Sequence, residues 1–517
     1  MTLQTRRHIE GPDARTAMSL TAADTAPQPP ADQGADPGAD PDGEAVAAAL
    51  DRIKQTLGPR GWVDDPAELE PWLVDSRGVY HGRCLGMAKP ASTAETSAVL
   101  AAAYAAGLPI VPQGGNTGRV GGATPDGTGR TLLINLARMN SVRAIDAAND
   151  AMTVEAGCIL KSLQEAASDA DRLFPLSLGA EGSCQIGGNL ASNAGGVNVL
   201  RYGNARELVL GLEVVLPDGR VWDGLTGLRK NNTGYDLKHL FMGSEGTLGI
   251  ITAAVLKLFP KPKARATALV ALSDLDACLT LLADAKAASA GTLSSFELMP
   301  GFALDWAERL VEGARRPFEA TYDWTVLLEF AGEPSVEEAL HGLLERAFED
   351  GRVVDAVIAQ SEEQRGQLWF LREAIVDAQN REGAQIKHDV SVPVSAVPRF
   401  IREAAEAVEA VQPGTRPYPF GHVGDGNIHY NLSQPPEMDG EAFKARADAL
   451  HRAVHDVTDR LHGSISAEHG IGRAKRGELA RYKDPIELDI MRRLKAALDP
   501  KGLMNPGVLL PDATGDG

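Results

Sequence analysis

The sequence predicts an α+β protein of more than one domain. Its 517 residues exceed the usual span of about 100–200 residues for one domain. Its first 260 residues are rich in short strands and hold dense glycine clusters, whereas residues 264–410 alternate strands with Ala/Leu/Glu-rich helices. Glycine numbers 54, more than one residue in ten, while aromatic residues make up 5%. Such an excess of glycine in a well-mixed chain points to backbone brought close to something.

Composition narrows the function classes. The hydrophobic fraction of 44% and charged fraction of 23% are those of a globular chain. The net charge of −19 argues against non-specific nucleic-acid binding. No apolar run reaches the length of about 18 residues expected of a membrane span. Cys84, Cys158, Cys184 and Cys278 form no C-x-x-C pair, so a reducing, cytoplasmic setting is expected rather than a disulfide framework.

The elements follow in order. Residues 1–44 read as a disordered tail: 26–44 hold five prolines and five acids and no large apolar side chain. Arg6 and Arg7 open the chain with no apolar core behind them, so no secretory signal is expected, and Met18 is a second candidate start. A helix is predicted over 93–106, stopped by Gly107 and Pro109, then a strand at 110–111. Strands are predicted at 132–134, 151–155 and 249–258, and a hairpin joins 209–216 to 221–222 through Pro217-Asp218-Gly219-Arg220. The break Pro260-Lys261-Pro262 ends a first domain, 45–262. A second unit is expected over 263–470, with strands at 266–272, 325–330 and 352–359. Residues 471–517 form a closing segment with an amphipathic helix at 486–498, expected to fold back on the first domain.

Glycine-rich segments carry the first chemical signal. Residues 112–122 read P-Q-G-G-N-T-G-R-V-G-G and follow a strand; the candidates here are Pro112, Gly114, Gly115, Asn116, Thr117, Gly118, Gly121 and Gly122. Residues 175–196 contribute Pro175, Gly179, Gly182, Ser183, Gly187, Gly188, Asn189, Ser192, Asn193, Gly195 and Gly196. Residues 243–250 contribute Glu245, Gly246, Gly249 and Ile250. Without Cβ atoms, backbone N–H groups can converge on an anion. Neither G-x-G-x-x-G nor G-x-x-x-x-G-K-[ST] is present, so the pattern reads as a large phosphorylated cofactor held by backbone, outside the Rossmann and P-loop classes.

The second signal is histidine. Seven of the eleven (388, 422, 429, 451, 455, 462 and 469) fall in the last 130 residues. His422 and His429 flank the turn Gly424-Asp425-Gly426-Asn427, and Glu468 lies farther along the chain. Two imidazoles and a carboxylate suit Zn²⁺ or Mn²⁺ with open positions. His451 and His455 are i and i+4 in H-R-A-V-H and read as an exposed helical face, with His388 merely flanking the site.

The three glycine segments, F-G-H-V-G-D-G-N-I-H at 420–429 and I-S-A-E-H-G-I-G at 465–472 together resemble the vanillyl-alcohol-oxidase or p-cresol-methylhydroxylase (PCMH/VAO) type of FAD enzyme. Over about 50–510 the chain resembles the D-2-hydroxyglutarate dehydrogenase and D-lactate dehydrogenase branch of that type. The resemblance implies a two-lobed FAD domain under an α+β cap. It implies non-covalent FAD, since Asn116-Thr117 stand where many covalent members carry a histidine. It implies His422, His429 and Glu468 as metal ligands, and Arg372, Lys387 and Asn431 as substrate contacts. His469 is assigned the base, because oxidising an alcohol requires removal of its hydroxyl proton and a neutral imidazole suits that task. Val376 departs from the threonine that the family places four residues after the arginine, which leaves D-2-hydroxyglutarate, D-lactate and D-malate open as substrates. The implied acceptor is electron-transfer flavoprotein or a quinone, and a homodimer is the candidate assembly. An oxygen-using 2-hydroxy-acid oxidase and a non-catalytic flavin-binding protein are the alternatives.

Overall fold

The computed structural model describes residues 43–511. The expected tail lies outside the described residues, except that the helix Gly43–Leu57 already includes Gly43 and Glu44. That helix and the helix Thr93–Ala105 cover a small sheet. Its strands run, side by side, Trp62–Val63, Met87–Ala88, Leu132–Asn135 and Ile110–Gln113. Helix Thr93–Ala105 starts where Ser92 accepts from the Glu95 N–H at 3.1 Å and Glu95 reaches back to the Ala91 N–H at 2.7 Å. Ile53, Leu57, Val99, Leu100, Ala103 and Ile134 form the shared core.

A five-stranded antiparallel sheet follows, ordered Val142–Asp146, Ala151–Glu155, Ile250–Lys257, Val209–Val215 and Val221–Gly224. The hairpin expected at residues 217–220 forms: Leu216 N–H donates to the Arg220 carbonyl at 2.8 Å, and Asp218 accepts from Arg220 N–H at 3.1 Å.

The largest sheet is antiparallel throughout. Its order is Val353–Ile358, Ala264–Leu272, Trp324–Gly332, Leu293–Pro300, Arg416–His422, Asn427–Ser433 and Gln385–Ile386, and Val390–Ser391 also pairs with Asn427–Ser433. Side chains alternate between its faces. Phe296, Leu298, Ile428 and Tyr430 turn to one core, against helices that include Val397–Val411 and Ala447–Arg460. Met299, Tyr418 and Phe420 turn to the other, against helices Gly301–Leu310 and Glu362–Arg381. The same alternation puts Glu297, His422, His429 and Asn431 on this second face.

After residue 470 the chain returns to the small sheet. Ile110 N–H donates to the Leu503 carbonyl and Asn505 N–H to the Ile110 carbonyl, both at 2.8 Å. Helix Pro485–Leu498 is capped by Asp484, but Ile486 and Ile490 on it are exposed. Among the described residues no helix is long and apolar enough to cross a membrane.

Candidate active site

Adjacent strands build the site. Glu297 and His422 are direct cross-strand partners, and Phe420 is paired with His429. His422 Nδ1 is 2.5 Å from Glu297 Oε1. Arg372, from helix Glu362–Arg381, places Nε at 2.9 Å and Nη2 at 2.8 Å from Glu297 Oε2. Glu297 is thus a buried carboxylate between the Arg372 guanidinium and the His422 ring. Burial raises its pKa, but His422 and Arg372 outweigh that and hold it at about 2. Burial likewise lowers His422, and Glu297 reverses this to about 9. With Nδ1 committed to Glu297, His422 Nε2 is left to face the site.

His429 Nε2 is 3.6 Å from Glu468 Oε1. One ligand atom each of His422, His429 and Glu468 falls within 4.8 Å of the others. Burial lifts the Glu468 carboxyl to about 7, with Asp389, Asp425 and Glu297 adding to the rise. Crowded buried carboxylates beside two imidazoles are the donor set a divalent cation would relieve.

Asp389 orients the last component. Its Oδ2 accepts from the N–H groups of Glu468 (3.0 Å) and His469 (2.9 Å), and lies 3.2 Å from His469 Nδ1. Its Oδ1 accepts from Asn427 Nδ2 at 3.0 Å. Burial raises Asp389, but His469 and His429 carry it far below the ordinary carboxylate range. Burial lowers His469 to about 4, so its imidazole is neutral near pH 7. A Nδ1–H donated to Asp389 leaves Nε2 as the basic nitrogen.

The glycine segments assemble against this group. A Cβ on Gly115 would stand 2.1 Å from the Ser183 carbonyl oxygen, so the first segment lies directly on the second. Gly246, at φ +71°, would clash at 2.4 Å with Pro112, so the third lies on the first. Gly118, Gly179, Gly182 and Gly188 have nothing within 4 Å of a would-be Cβ, an open backbone cradle. Gln185 Oε1 and Asn189 Oδ1 are buried nearby with no hydrogen-bond partner. Bare backbone with orphaned acceptors fits a cofactor that brings its own hydroxyl and amide donors. At the end of the second segment, a Cβ on Gly195 would be 3.1 Å from Glu468 Oε2. Cradle and histidine–carboxylate group therefore share a wall.

Comparison with known proteins fits this division. Residues 85–224 match a family model described as FAD binding domain, and residues 261–509 match FAD linked oxidases, C-terminal domain. The D-2-hydroxyglutarate dehydrogenase of Xanthomonas citri pv. viticola is 39% identical over 446 residues, 86% of this chain and 93% of that protein. The bovine mitochondrial D-2-hydroxyglutarate dehydrogenase is 39% identical over 468 residues, 90% of this chain and 83% of that protein. The chain belongs to the D-2-hydroxyglutarate dehydrogenase family. It is an FAD-dependent dehydrogenase. Its fold is that of the PCMH/VAO type: a solved p-cresol methylhydroxylase with substrate bound superposes with a TM-score of 0.71 at 15% identity, over 90% of this chain and 97% of that one. The cytoplasmic expectation is corrected by the same comparisons: the bovine relative is named mitochondrial, as are those from Oryza sativa and Arabidopsis thaliana.

In this family member the expected residues are distributed unevenly. His422, His429, Glu468 and His469 come together. Arg372 is beside them, but both of the contacts above are with Glu297. Lys387 Nζ donates to Asn380 at 2.7 Å. Asn431 donates to Gln379 at 2.8 Å and accepts from the His388 N–H at 3.3 Å. Val376 is half-buried against the core beside Arg372. Several glycine-segment residues have structural partners: Asn116 donates to the Val74 carbonyl (2.7 Å), Asn193 accepts from Arg206 N–H (3.0 Å), and Pro175 accepts from Asn198 (2.9 Å). Glu245 accepts from the N–H groups of Ile471 (2.8 Å) and Gly472 (2.7 Å), fastening the third segment to the chain after His469.

The sequence reading missed Glu297, Asp389 and Arg119. Arg119 lies in the first glycine segment and acts electrostatically on Asp389, Glu468 and His469. Asp389 had a signal, directly following Lys387 and His388, which the sequence already singled out; Glu297 had none. The exposed face expected for His451 and His455 is also corrected: His455 is buried, His451 is half-buried, and both pack on His388.

Proposed function

We propose that the protein oxidises a D-2-hydroxy acid, of the D-2-hydroxyglutarate, D-lactate or D-malate type, to the 2-oxo acid. The observation that carries this reading is the contact between Gly195, at the end of a glycine segment, and Glu468 of the histidine–carboxylate group. It puts a cofactor cradle beside a cation-binding donor set and a neutral base. FAD, held non-covalently by the 45–262 unit, supplies the hydride acceptor. His422, His429 and Glu468 are the residues that would hold a Zn²⁺ or Mn²⁺ ion, which would supply Lewis acidity toward the substrate hydroxyl.

The chain's own groups do the rest. His469 Nε2 takes the hydroxyl proton as the C2–H bond breaks. Asp389 holds the other ring nitrogen and stabilises the imidazolium that results. Glu297, pinned by Arg372, fixes the tautomer and direction of His422. Arg119, Lys387 and Arg372 are the cations available to substrate carboxylates, and Asn431 is a further substrate contact. The 263–470 unit provides these groups, except Arg119 from the first glycine segment, and residues 471–511 close on the cofactor unit. The chain has no G-x-G-x-x-G dinucleotide turn, so a protein acceptor of the electron-transfer flavoprotein kind, or a quinone, takes the electrons.

The test is the anaerobic visible spectrum before and after adding D-2-hydroxyglutarate. Bleaching of the flavin bands supports the reaction. Flavin bands that persist with this acid and with a panel of D-2-hydroxy acids would overturn it.

A further inference from the structure

A second group of imidazoles lies on the opposite face of the large sheet. His388 and Asp389 are consecutive, so their side chains diverge. Asp389 turns toward His469, and His388 turns toward helix Ala447–Arg460. On that helix His451 and His455 are i and i+4, which stacks them on one face. Their rings are 5.8 Å apart, and the His388 ring is 4.6 Å from His451 and 5.6 Å from His455. One ring nitrogen of each lies within 4.8 Å of the others.

Hydrogen bonds decide which nitrogens face inward. His388 Nδ1 is 2.8 Å from the Tyr430 carbonyl, which can only accept, so Nδ1 carries the proton and Nε2 presents its lone pair. His455 Nδ1 is 2.9 Å from Glu478 Oε2, which leaves His455 Nε2 as a lone pair by the same argument. His388 Nε2 faces His451 Nδ1 at 2.9 Å. Outward bonds to a carbonyl and to a carboxylate are the supports that metal-bound imidazoles use. A ring with its proton on the outward nitrogen presents a neutral lone pair inward, the form that ligates. The neighbouring cation, Lys475, has its Nζ held by the Ile465 carbonyl (2.9 Å) and Ser466 Oγ (3.0 Å). Arg452 is balanced by Glu478 at 3.7 Å.

The geometry points to a second divalent-cation site, formed by His388 Nε2, His451 Nδ1 and His455 Nε2, that takes Zn²⁺ with water in the fourth position. An all-imidazole set suits zinc, copper and nickel rather than calcium or magnesium. Tetrahedral zinc with nitrogens at about 2.0–2.1 Å wants them roughly 3.3 Å apart, close to the His388–His451 spacing. The site is separate from His422, His429 and Glu468, and its ion performs no chemistry on substrate. It clamps His388 to the helix and so holds the neighbouring Asp389, a positioning role.

The experiment is zinc content per flavin, by plasma mass spectrometry, after the holoenzyme is saturated with ZnSO₄ and desalted. Wild type, His451→Ala, His422→Ala and the double variant are compared. The expected values are about two, one, one and zero. Equal zinc in wild type and His451→Ala overturns the second site. A single zinc that survives His451→Ala but is lost in His422→Ala overturns it while sparing the first site. A single zinc with the reverse pattern keeps the second site and removes the first. If His451→Ala loses flavin, His451→Gln replaces it, and Co²⁺ is titrated into His422→Ala and into His422→Ala/His451→Gln. Tetrahedral Co²⁺ bands in the former that vanish in the latter support the site, and identical spectra overturn it.

Discussion

At the scale of single residues, Asp389 connects the groups of the site. One buried carboxylate receives the backbone of Glu468 and His469, the Asn427 amide and the His469 ring. Asp389→Asn keeps the shape but removes the charge that orients the ring and stabilises its protonated form. Turnover should fall about 10²–10⁴-fold, the usual worth of a general base, with flavin and metal content retained. Turnover within a few-fold of wild type would show that His469 does not need Asp389. Val376 is a second residue-scale test. It is one helical turn from Arg372, so Val376→Thr presents a hydroxyl on the same face. A hydrogen bond to a charged carboxylate is worth about 1.5–3 kcal/mol, so kcat/KM for D-2-hydroxyglutarate should rise by roughly tenfold or more while that for D-lactate changes little. An equal change for both acids would place Val376 away from the distal carboxylate. The histidines were legible at this scale because their residue type and motif order are visible along the chain. Glu297 was not, because its partner His422 is 125 residues away and the pair exists only across two strands.

At the scale of elements, most predicted strands and helices form close to where hydrophobic pattern and turn chemistry put them. Ala151–Glu155 matches its prediction residue for residue. Ile110–Gln113 extends two residues into the first glycine segment, because it pairs in parallel with Leu132–Asn135. The strand Leu293–Pro300, which carries Glu297, was not predicted. It is buried along its whole length, and Ser294, Ser295 and Glu297 interrupt its apolar pattern. Those polar groups are satisfied by remote partners: Ser294 donates to the Glu329 carbonyl at 3.0 Å and Ser295 to the Val197 carbonyl at 2.9 Å. Tertiary structure supplies what local pattern lacks. The face of helix Ala447–Arg460 was misread for a related reason, since His451 and His455 are polar by type but are covered by His388 from another segment. The element-scale prediction concerns Glu245, which joins the third glycine segment to residues 471 and 472. Glu245→Ala leaves two N–H groups without their acceptor, at about 2–4 kcal/mol. Calorimetry should show that loss together with weaker flavin retention. An unchanged melting profile would show that the junction is held by other contacts.

At the scale of the whole molecule, the chain's last segment completes the lobe that its first segment began. Lys495 is the clearest instance. Its ammonium donates to the Thr247 carbonyl at 2.8 Å, the Met504 carbonyl at 2.7 Å and Asp499 Oδ2 at 2.6 Å. Asp499 is fully covered and also accepts from the N–H groups of Leu503 and Met504. Thr247 belongs to the third glycine segment, and Leu503 and Asn505 bond to Ile110, which leads into the first. One buried ion pair thus ties the C-terminal return to both cofactor segments. Lys495→Met keeps the length of the side chain but strands the Asp499 charge, and removing one partner of a buried pair costs about 3–5 kcal/mol. A chain with several cores need not unfold in one step. The loss should therefore appear in the transition of the flavin lobe, as earlier flavin release on heating, while the transition of the large antiparallel sheet stays in place. Flavin fluorescence and calorimetry followed together measure this. If both transitions shift by the same amount, the molecule unfolds as one unit and the lobe is not independently stabilised by its C-terminal return. If neither shifts, the Asp499 charge is satisfied by the Leu503 and Met504 backbone alone.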